Sequence, residues 1–270
     1  MNSPKPENAK NSKNVDSVIK PQAQPFIVPV CHEEIEILYQ DESLLLINKP
    51  TRLLSLSSKP PHNQDSVHAR LVKDFPTATL IHRLDFGTSG IMIVALNKVI
   101  NAAIGNQFQD RTVTKTYTAV LLGELQEARG QIDFPIAKGE FPLQKVCYDT
   151  GKQALTDYRV VQDSDSSSTS SFISSETNQA NNLSESQAVN RAPTEKTPPI
   201  TRVEFSPVTG RTHQLRVHSQ AFGFPILGCD LYASETAFLM AKRLMLHATT
   251  IEFDHPVSGK RVYGVSPCPF

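Results

Sequence analysis

One short segment concentrates side chains that could carry chemistry. Residues 81–90 read IHRLDFGTSG and present an imidazole, a guanidinium and a carboxylate at His82, Arg83 and Asp85, followed by two glycines. A compact turn that offers these groups just before an apolar run is typical of a site loop. A salt-bridged turn would have the same spacing, so this segment alone leaves both interpretations equally open.

A second segment, residues 208–218, reads VTGRTHQLRVH. Its pattern predicts a helix that begins near Thr212 and groups His213, Arg216 and Gln220 on one face. A polar face led by Arg and His suits phosphate binding or an ion pair with a buried carboxylate. An ordinary solvated face would carry Lys and Glu instead of this mixture.

A third segment, KTYTA at 115–119, offers Tyr117, which alone is most often a core or edge residue of a strand. Other catalytic motifs are absent. The chain contains no GxxxxGK[ST] and no strand-linked GxGxxG, and GTSGI at 87–91 lacks the last glycine of an esterase elbow. His213 and His218 are five residues apart, which is the wrong spacing for a helical zinc pair. We expect no metal site.

The composition excludes several classes of protein. The chain has 270 residues, with 27 Lys and Arg against 27 Asp and Glu. No apolar run approaches the roughly 18–20 residues that span a bilayer, and the N-terminal residues lack the apolar core of a signal peptide. Four cysteines lie far apart without a CxxC pair, which argues against a disulfide framework. We expect a cytoplasmic monomer with no membrane partner.

Two segments have a biased composition. Residues 1–25 have a net charge of +2 and almost no large apolar side chains, and residues 163–199 have a net charge of −3 and ten serines. Such segments bury too little apolar surface to offset the entropy of ordering, so both are predicted to be disordered. One domain, residues 26–270, is then interrupted by an insertion at 163–199. We expect no separate N-terminal S4 domain.

The remaining pattern predicts an α+β fold built on a mixed, mainly antiparallel sheet flanked by helices, because strands outnumber helices and hairpin signals are frequent. Strands are expected at 34–40, 43–49, 90–96, 114–122, 154–161, 200–208, 245–253 and 260–265, and helices at 65–75 behind an Asp cap and at 97–110.

Together the three segments resemble the RluA family of pseudouridine synthases. HRLDFGTSG (82–90), KTYTA (115–119) and TGRTHQLRVH (209–218) occur in the order of that family, and Asn48-Lys49-Pro50 resembles its first motif. The resemblance covers about 34–162 and 200–268. In two features, the segment QKVCYDTGK at 144–152 and the lack of an S4 domain, the chain resembles particular members of the family. Those members act on both a 23S rRNA hairpin and the tRNA anticodon stem-loop. These two RNAs are the implied partners.

The resemblance also implies roles for the site residues. Asp85 would be the catalytic aspartate, acting at C1′ or C2′ of a uridine whose N1–C1′ bond is replaced by a C5–C1′ bond. Arg216 would keep Asp85 ionised, and Tyr117 would stack on the flipped uracil and assist with the C5 proton. Since nothing is hydrolysed and no electrons move, no cofactor or metal is implied.

Contacts to RNA are predicted for a set of basic and imidazole side chains: His82, Arg83, Arg211, His213, Lys145 and Lys152, with Lys242 and Arg243 as further candidates. Arg83, next but one to Asp85, would either fill the stack that the flipped uridine leaves or contact a phosphate.

One position departs from the family pattern. Arg52 stands where the family usually has Gly, which predicts that residue 52 avoids a positive φ and offers a phosphate contact or a changed meeting of this loop with RNA. Two alternatives to a synthase stay open. A module that binds RNA without needing catalysis would tolerate loss of Asp85, and a hydrolase that uses Asp85 would release free uracil.

Overall fold

The structure is a computed structural model that describes residues 27–59, 62–161 and 198–270. The tail at 1–25 and residues 163–197 of the predicted insertion lie outside the described residues. Of the helices in the described ranges, none has the length and apolar character that crossing a membrane requires.

Within the described residues the chain forms twelve strands and four helices. In chain order they are β1 (Glu36–Gln40), β2 (Leu44–Lys49), α1 (Val67–Leu71), β3 (Thr79–Leu80), β4 (Ser89–Ala95), α2 (Lys98–Gln109), β5 (Thr114–Leu122), β6 (Arg129–Asp133), β7 (Ile136–Lys138), β8 (Gln144–Val146), β9 (Leu155–Val160), β10 (Ile200–Pro207), α3 (Gln214–Ala221), α4 (Glu235–Leu239), β11 (Leu246–Asp254) and β12 (Arg261–Val265).

Ten of these strands form one mixed sheet. Its order is β1-β2-β4-β11-β5-β10-β9-β6, with β12 paired to β11 and β3 paired to β4, while β7 and β8 form a separate hairpin. Among these pairs only β4 and β11 run parallel, and the others are antiparallel. The predicted α+β fold with a mainly antiparallel sheet is therefore confirmed.

The middle of the sheet is the most buried part of the fold. Every residue of β4 is buried, and β2 buries Leu44, Leu45 and Ile47 completely, as expected for apolar runs covered on both faces. Tyr117 on β5 packs against both of the larger core clusters, one around β2 and β4 and one around β10 and α3. The catalytic segments predicted from the sequence therefore lie where the two halves of the core meet.

The helices agree with the sequence in part. Asn97 caps α2 as predicted, because its side-chain oxygen accepts from Ile100 N at 3.0 Å. The prediction of an Asp cap for α1 was wrong, since Ser66 caps this helix by accepting from Ala69 N. Asp65 instead forms an ion pair with Arg70 at 2.6 Å.

Five short elements had no sequence signal strong enough to predict them. The strands β3, β6, β7 and β8 contain two to five residues, and α4 contains five. At these lengths neither a two-residue nor a 3.6-residue period repeats often enough to be recognised. The two strands on either side of residues 163–199, β9 and β10, pair with each other, with Val203 opposite Val160.

The expectation that residue 52 avoids a positive φ was wrong. Arg52 has φ +57°, in the left-handed region that glycine adopts without strain. A non-glycine residue there costs roughly 1–2 kcal/mol. Arg52 Nη2 donates to the Lys242 carbonyl at 2.8 Å, so the exposed guanidinium joins this loop to the segment before β11.

Gly90 fixes how closely β4 and β11 approach. Its φ is +115°, and a Cβ at this position would lie 2.2 Å from the carbonyl oxygen of Ala248 and 2.6 Å from its nitrogen. Of the two glycines that follow Asp85, Gly90 is therefore the one that needs to be glycine for both conformation and space.

We expect Gly90→Ala to lower the free energy of unfolding by more than about 3 kcal/mol, because it combines backbone strain with a clash against β11. Gly105→Ala is the control, since Gly105 lies inside α2 with no atom within 4 Å of the added Cβ. It should raise stability by about 0.5–1 kcal/mol. Urea unfolding followed by circular dichroism measures both, and an unchanged midpoint for Gly90→Ala would contradict the assigned role.

Candidate active site

A cavity of about 690 Å³ brings the three predicted segments together. Its lining includes residues 82–86 from the loop before β4, Lys115 and Tyr117 from β5, and residues 209–216 from the segment that leads into α3. Residues that lie more than 120 positions apart in the chain therefore share one site.

Asp85 faces two nitrogen-bearing side chains. Arg216 Nη1 lies 3.7 Å from Asp85 Oδ2, and His213 Nε2 lies 4.0 Å from Oδ1. The side chain of Asp85 is 27% exposed, whereas that of Arg216 is 5% exposed. The Asp85 carboxylate therefore opens onto the cavity, with the Arg216 guanidinium and the His213 ring facing it from the protein side.

The Arg216 guanidinium is held on several sides. Nη2 forms an ion pair with Asp230 Oδ1, and Nε donates to Cys229 Sγ at 3.3 Å. The guanidinium carbon lies 5.2 Å from the centroid of the Tyr232 ring, within the range of a cation–π contact. Arg216 is therefore fixed before any substrate arrives, and only one of its nitrogens points at Asp85.

His213 is oriented by Tyr232. The Tyr232 hydroxyl accepts from Gln144 N at 2.9 Å and lies 2.6 Å from His213 Nδ1. With one donor already in place, this arrangement favours donation of the hydroxyl proton to Nδ1, which leaves the proton of neutral His213 on Nε2 toward Asp85. Burial lowers the pKa of His213, although the charge of Asp85 opposes this shift.

The loop that carries Asp85 is held by side chains from residues 49–55. Ser55 Oγ donates to the Leu84 carbonyl at 2.7 Å and accepts from Leu84 N at 3.2 Å. Thr51 Oγ1 donates to the Gly87 carbonyl at 2.8 Å. The backbone on both sides of Asp85 is thus hydrogen-bonded to residues that directly follow Asn48-Lys49-Pro50.

Lys49 completes this clamp from the interior. Its side chain is fully buried, and Nζ donates to the carbonyls of Pro50 at 2.9 Å, Leu53 at 2.8 Å and Phe86 at 3.4 Å. Burial lowers the pKa of Lys49 to about 7, while the negative charge of Asp85 acts in the opposite direction. Three carbonyl acceptors match the three donors of an ammonium group. Lys49 therefore links the loop at residues 50–53 to the loop that follows Asp85.

Tyr117 and Lys115 form the wall that β5 contributes. Burial, together with the charge of Asp85, raises the pKa of Tyr117 well above its ordinary value, so its hydroxyl stays protonated at neutral pH. Lys115 Nζ lies 5.3 Å from the centroid of the Phe108 ring, and burial lowers its pKa. Lys115 is a basic side chain that lines the cavity. It belongs to the KTYTA segment, but the sequence alone did not predict a role for it.

His82 serves the scaffold as well as the cavity wall. Its Nε2 accepts from Ile93 N at 3.0 Å, which ties the start of the loop to β4. Burial, and next the charge of Lys115, lower the pKa of His82 to about 3, so the ring is neutral.

Residues 43–221 match the family described as RNA pseudouridylate synthase. The chain belongs to this family. It is therefore an RNA pseudouridine synthase, an isomerase that acts on RNA. Family membership, with the three motifs joined in one cavity, favours an enzyme over a module that only binds RNA.

Named relatives cover most of the chain. It is 41% identical over 225 residues to the "Dual-specificity RNA pseudouridine synthase RluA" of Yersinia pestis, a match that spans 83% of this chain and 94% of that protein. The protein of the same name from Escherichia coli K12 is 38% identical over 252 residues, spanning 93% of this chain and 97% of the relative.

Solved structures of the same family share the fold. "Human RNA Pseudouridylate Synthase Domain Containing 1" superposes with a TM-score of 0.65 at 28% identity, covering 90% of this chain and 86% of that one. "Human RNA Pseudouridylate Synthase Domain Containing 4" superposes with a TM-score of 0.58 at 23% identity over 87% and 88% of the two chains.

The predicted RNA contacts fall into two groups in this synthase. His82, Arg83, Arg211 and His213 line the cavity, whereas Lys145 and Lys152 are exposed but do not line it. Arg211 Nε donates to the Gln153 carbonyl at 3.0 Å, so part of its guanidinium is already engaged.

The two further candidates before β11 differ from each other. Lys242 is exposed, whereas Arg243 points inward, with Nη2 on Ser89 Oγ and the guanidinium 5.3 Å from the centroid of the Phe270 ring. Arg243 is therefore occupied by protein partners.

His213, Arg216 and Gln220 do not form the one polar face of α3 that the sequence predicted. Residues 214–219 are all buried, and only Gln220 of the predicted stripe is exposed. His213 has φ +56°, so the helix begins at Gln214 instead of near Thr212. His213 and Arg216 still meet Asp85, but inside a packed interface and without Gln220.

Sequence reasoning missed the residues that support the predicted ones. Asp230 and Tyr232 have no motif or period to mark them, and they reach Arg216 only because the chain returns to α3 after residue 223. The Lys49 motif was recognised, but its contacts with residue 86 depend on the pairing of β2 with β4, which brings Lys49 opposite Gly90.

We expect Lys49→Met to lower the free energy of unfolding by about 3 kcal/mol, since a buried carbonyl left without a donor costs about 1–3 kcal/mol. Lys98→Met is the control, because Lys98 is exposed on α2, and its effect should stay within about 0.5 kcal/mol. Chemical denaturation of both variants measures this. Equal stabilities would show that the three carbonyls do not depend on the ammonium.

Proposed function

We propose that this enzyme isomerises one uridine in a 23S rRNA hairpin and one in the tRNA anticodon stem-loop, with Asp85 as the catalytic carboxylate. The single observation that carries the assignment of Asp85 is that it is the one carboxylate among the described residues lining the cavity, with Arg216 Nη1 3.7 Å away. The proposal for both RNAs is supported by the names of the relatives from Yersinia pestis and Escherichia coli.

The isomerisation suits a site with one carboxylate. The N1–C1′ bond of the uridine breaks, the uracil turns while it stays bound, and C5 joins C1′ as the C5 proton leaves and N1 gains a proton. Water is not consumed and no electrons are transferred, so the reaction needs neither a metal nor a redox cofactor. Asp85 reacts at C1′ or C2′, and Arg216 stabilises its negative charge before the step.

Tyr117 is proposed to stack on the uracil. Because its pKa is raised, its hydroxyl is protonated at neutral pH and is a poor acceptor for the C5 proton, which argues against the expected assistance of Tyr117 with that proton. A phenol ring on the wall of a cavity gives the turning base a flat surface that does not hold one orientation.

The target uridine has to leave its stack to reach Asp85, at a cost of a few kcal/mol. The cavity of about 690 Å³ is within the range of about 300–1,000 Å³ that holds a small ligand. Arg83 is exposed on its rim, where the side chain either fills the place of the flipped uridine or contacts a phosphate.

The remaining proposals concern the whole chain. We propose that the enzyme works as a cytoplasmic monomer, and that residues 1–25 and 163–199 take no part in the chemistry. Since β9 and β10 pair with each other next to residues 163–199, the sheet continues without them.

Dual specificity is tested with two RNAs, a tRNA anticodon stem-loop and a 23S rRNA hairpin, each tritiated at uracil C5. We expect the purified enzyme to release tritium to water from both, because the C5 proton is lost when C5 joins C1′. Release from one RNA would remove the other from the proposed substrates. On unlabelled RNA, mass spectrometry of the product should show no change in mass and no free uracil.

The role of Asp85 is tested by Asp85→Asn, which keeps the size of the side chain and removes its charge. We expect turnover to fall by about a thousandfold or more while RNA affinity stays within a fewfold of the wild type. Asp133→Asn is the control, since Asp133 is exposed on β6 and does not line the cavity. Retained tritium release by Asp85→Asn would disprove the assignment.

A further inference from the structure

The tip of the β7–β8 hairpin holds an aromatic side chain that the fold leaves in water. Phe141 is 95% exposed, the highest value among the exposed large apolar side chains of the described residues, and Val99 is next at 77%. Isolated exposed apolar residues are common on protein surfaces. Phe141 differs because it also lines the cavity that contains Asp85.

The tip is a well-formed turn. Gly139 N donates to the Leu143 carbonyl at 3.0 Å, and Leu143 N donates to the Glu140 carbonyl at 2.7 Å. These two bonds close the chain around Phe141. The side chain therefore extends from a defined position.

The base of the hairpin is anchored to the active site. Ile136 is buried with Ala154 and Val217 of α3, and Val146 packs against the same cluster. Gln144 N donates to the Tyr232 hydroxyl, which also contacts His213. Tyr232 thus joins the hairpin to the residues that face Asp85. Phe141 therefore has a defined place relative to them.

The charges of the cavity indicate what meets this ring. Four cationic side chains line the cavity with Asp85, namely Arg83, Lys115, Arg211 and Arg216. A cationic groove with an exposed aromatic ring is the arrangement by which proteins bind single-stranded nucleic acid, with phosphates near the cations and a base on the ring. An apolar segment of a partner protein would not match the cations.

We propose that Phe141 is a base-stacking subsite, which holds an unpaired nucleobase of the substrate RNA while the target uridine occupies the cavity. This inference rests on the proposed RNA substrates. Phe141 is a positioning residue, since Tyr117 and Asp85 remain the groups that face the reacting uracil. A base held at the hairpin tip fixes the register of the RNA loop, so that one uridine of the loop faces Asp85.

The first test compares substitutions at position 141 on the tRNA stem-loop and the 23S rRNA hairpin. We expect Phe141→Ala to raise the Kd and the KM for RNA about tenfold and to leave kcat at saturating RNA within about twofold. Phe141→Trp should keep wild-type affinity because it keeps a stacking ring. Phe141→Leu should resemble the alanine variant because it is apolar but not planar.

A spectroscopic test detects the stacking itself. Stem-loops with 2-aminopurine at successive loop positions are bound to an Asp85→Asn protein, so that the uridine is not consumed. We expect the ring of Phe141 to quench one position, and Phe141→Ala in the same background to restore its fluorescence. Phe238→Ala is the matched control, since Phe238 is 45% exposed on α4 and does not line the cavity.

Two results would overturn the proposal. Wild-type affinity in Phe141→Ala would show that residue 141 is not a binding subsite. Wild-type affinity in Phe141→Leu would show that an apolar side chain is sufficient and that stacking is not needed. Failure of the proposed function is recognised separately, because it would abolish tritium release by the wild type on both RNAs. Binding and quenching do not depend on turnover.

Discussion

The hydrogen bonds between residues 49–55 and the loop around Asp85 are the constraint on which the rest of the site depends. Lys49, Thr51 and Ser55 bind the backbone of residues 86, 87 and 84, so the carboxylate is flanked on both sides by anchored peptide units. A buried ammonium without a carboxylate partner is costly, and it persists because three carbonyls surround it. Residues 49–55 therefore fix the backbone that carries the Asp85 carboxylate.

The second constraint is that Arg216 is shared between two carboxylates. Asp230 binds one guanidinium nitrogen closely, and Asp85 lies 3.7 Å from another. Since Asp230 is 61% exposed and outside the cavity lining, it can hold the guanidinium without competing for the substrate. An Arg that is tightly bound at one end and loosely paired at the other can stabilise Asp85 without immobilising it in a direct hydrogen bond.

Much of the fold could be predicted from the sequence, because β2 and β4 are apolar runs that are buried on both faces. The runs that became β2, β4 and β5 gave clear signals, and so did Asn97 as a cap. Long-range contacts could not be predicted in the same way. The burial of α3, the left-handed His213 and the approach of Tyr232 depend on neighbours from other elements. Arg52 adopts a strained φ because the loop geometry, and not the residue's preference, decides the conformation there.

Tyr232 connects the β7–β8 hairpin to the side chains that face Asp85. Its hydroxyl joins Gln144 of β8 to His213, and its ring faces the Arg216 guanidinium. The base of the β7–β8 hairpin is therefore connected through Tyr232 to both groups that face Asp85. Since Phe141 is at the tip of that hairpin, a base that stacks there would be held at a fixed place relative to Asp85. An RNA loop that cannot stack at the tip would bind more weakly, which gives the enzyme a physical means to favour the correct loop.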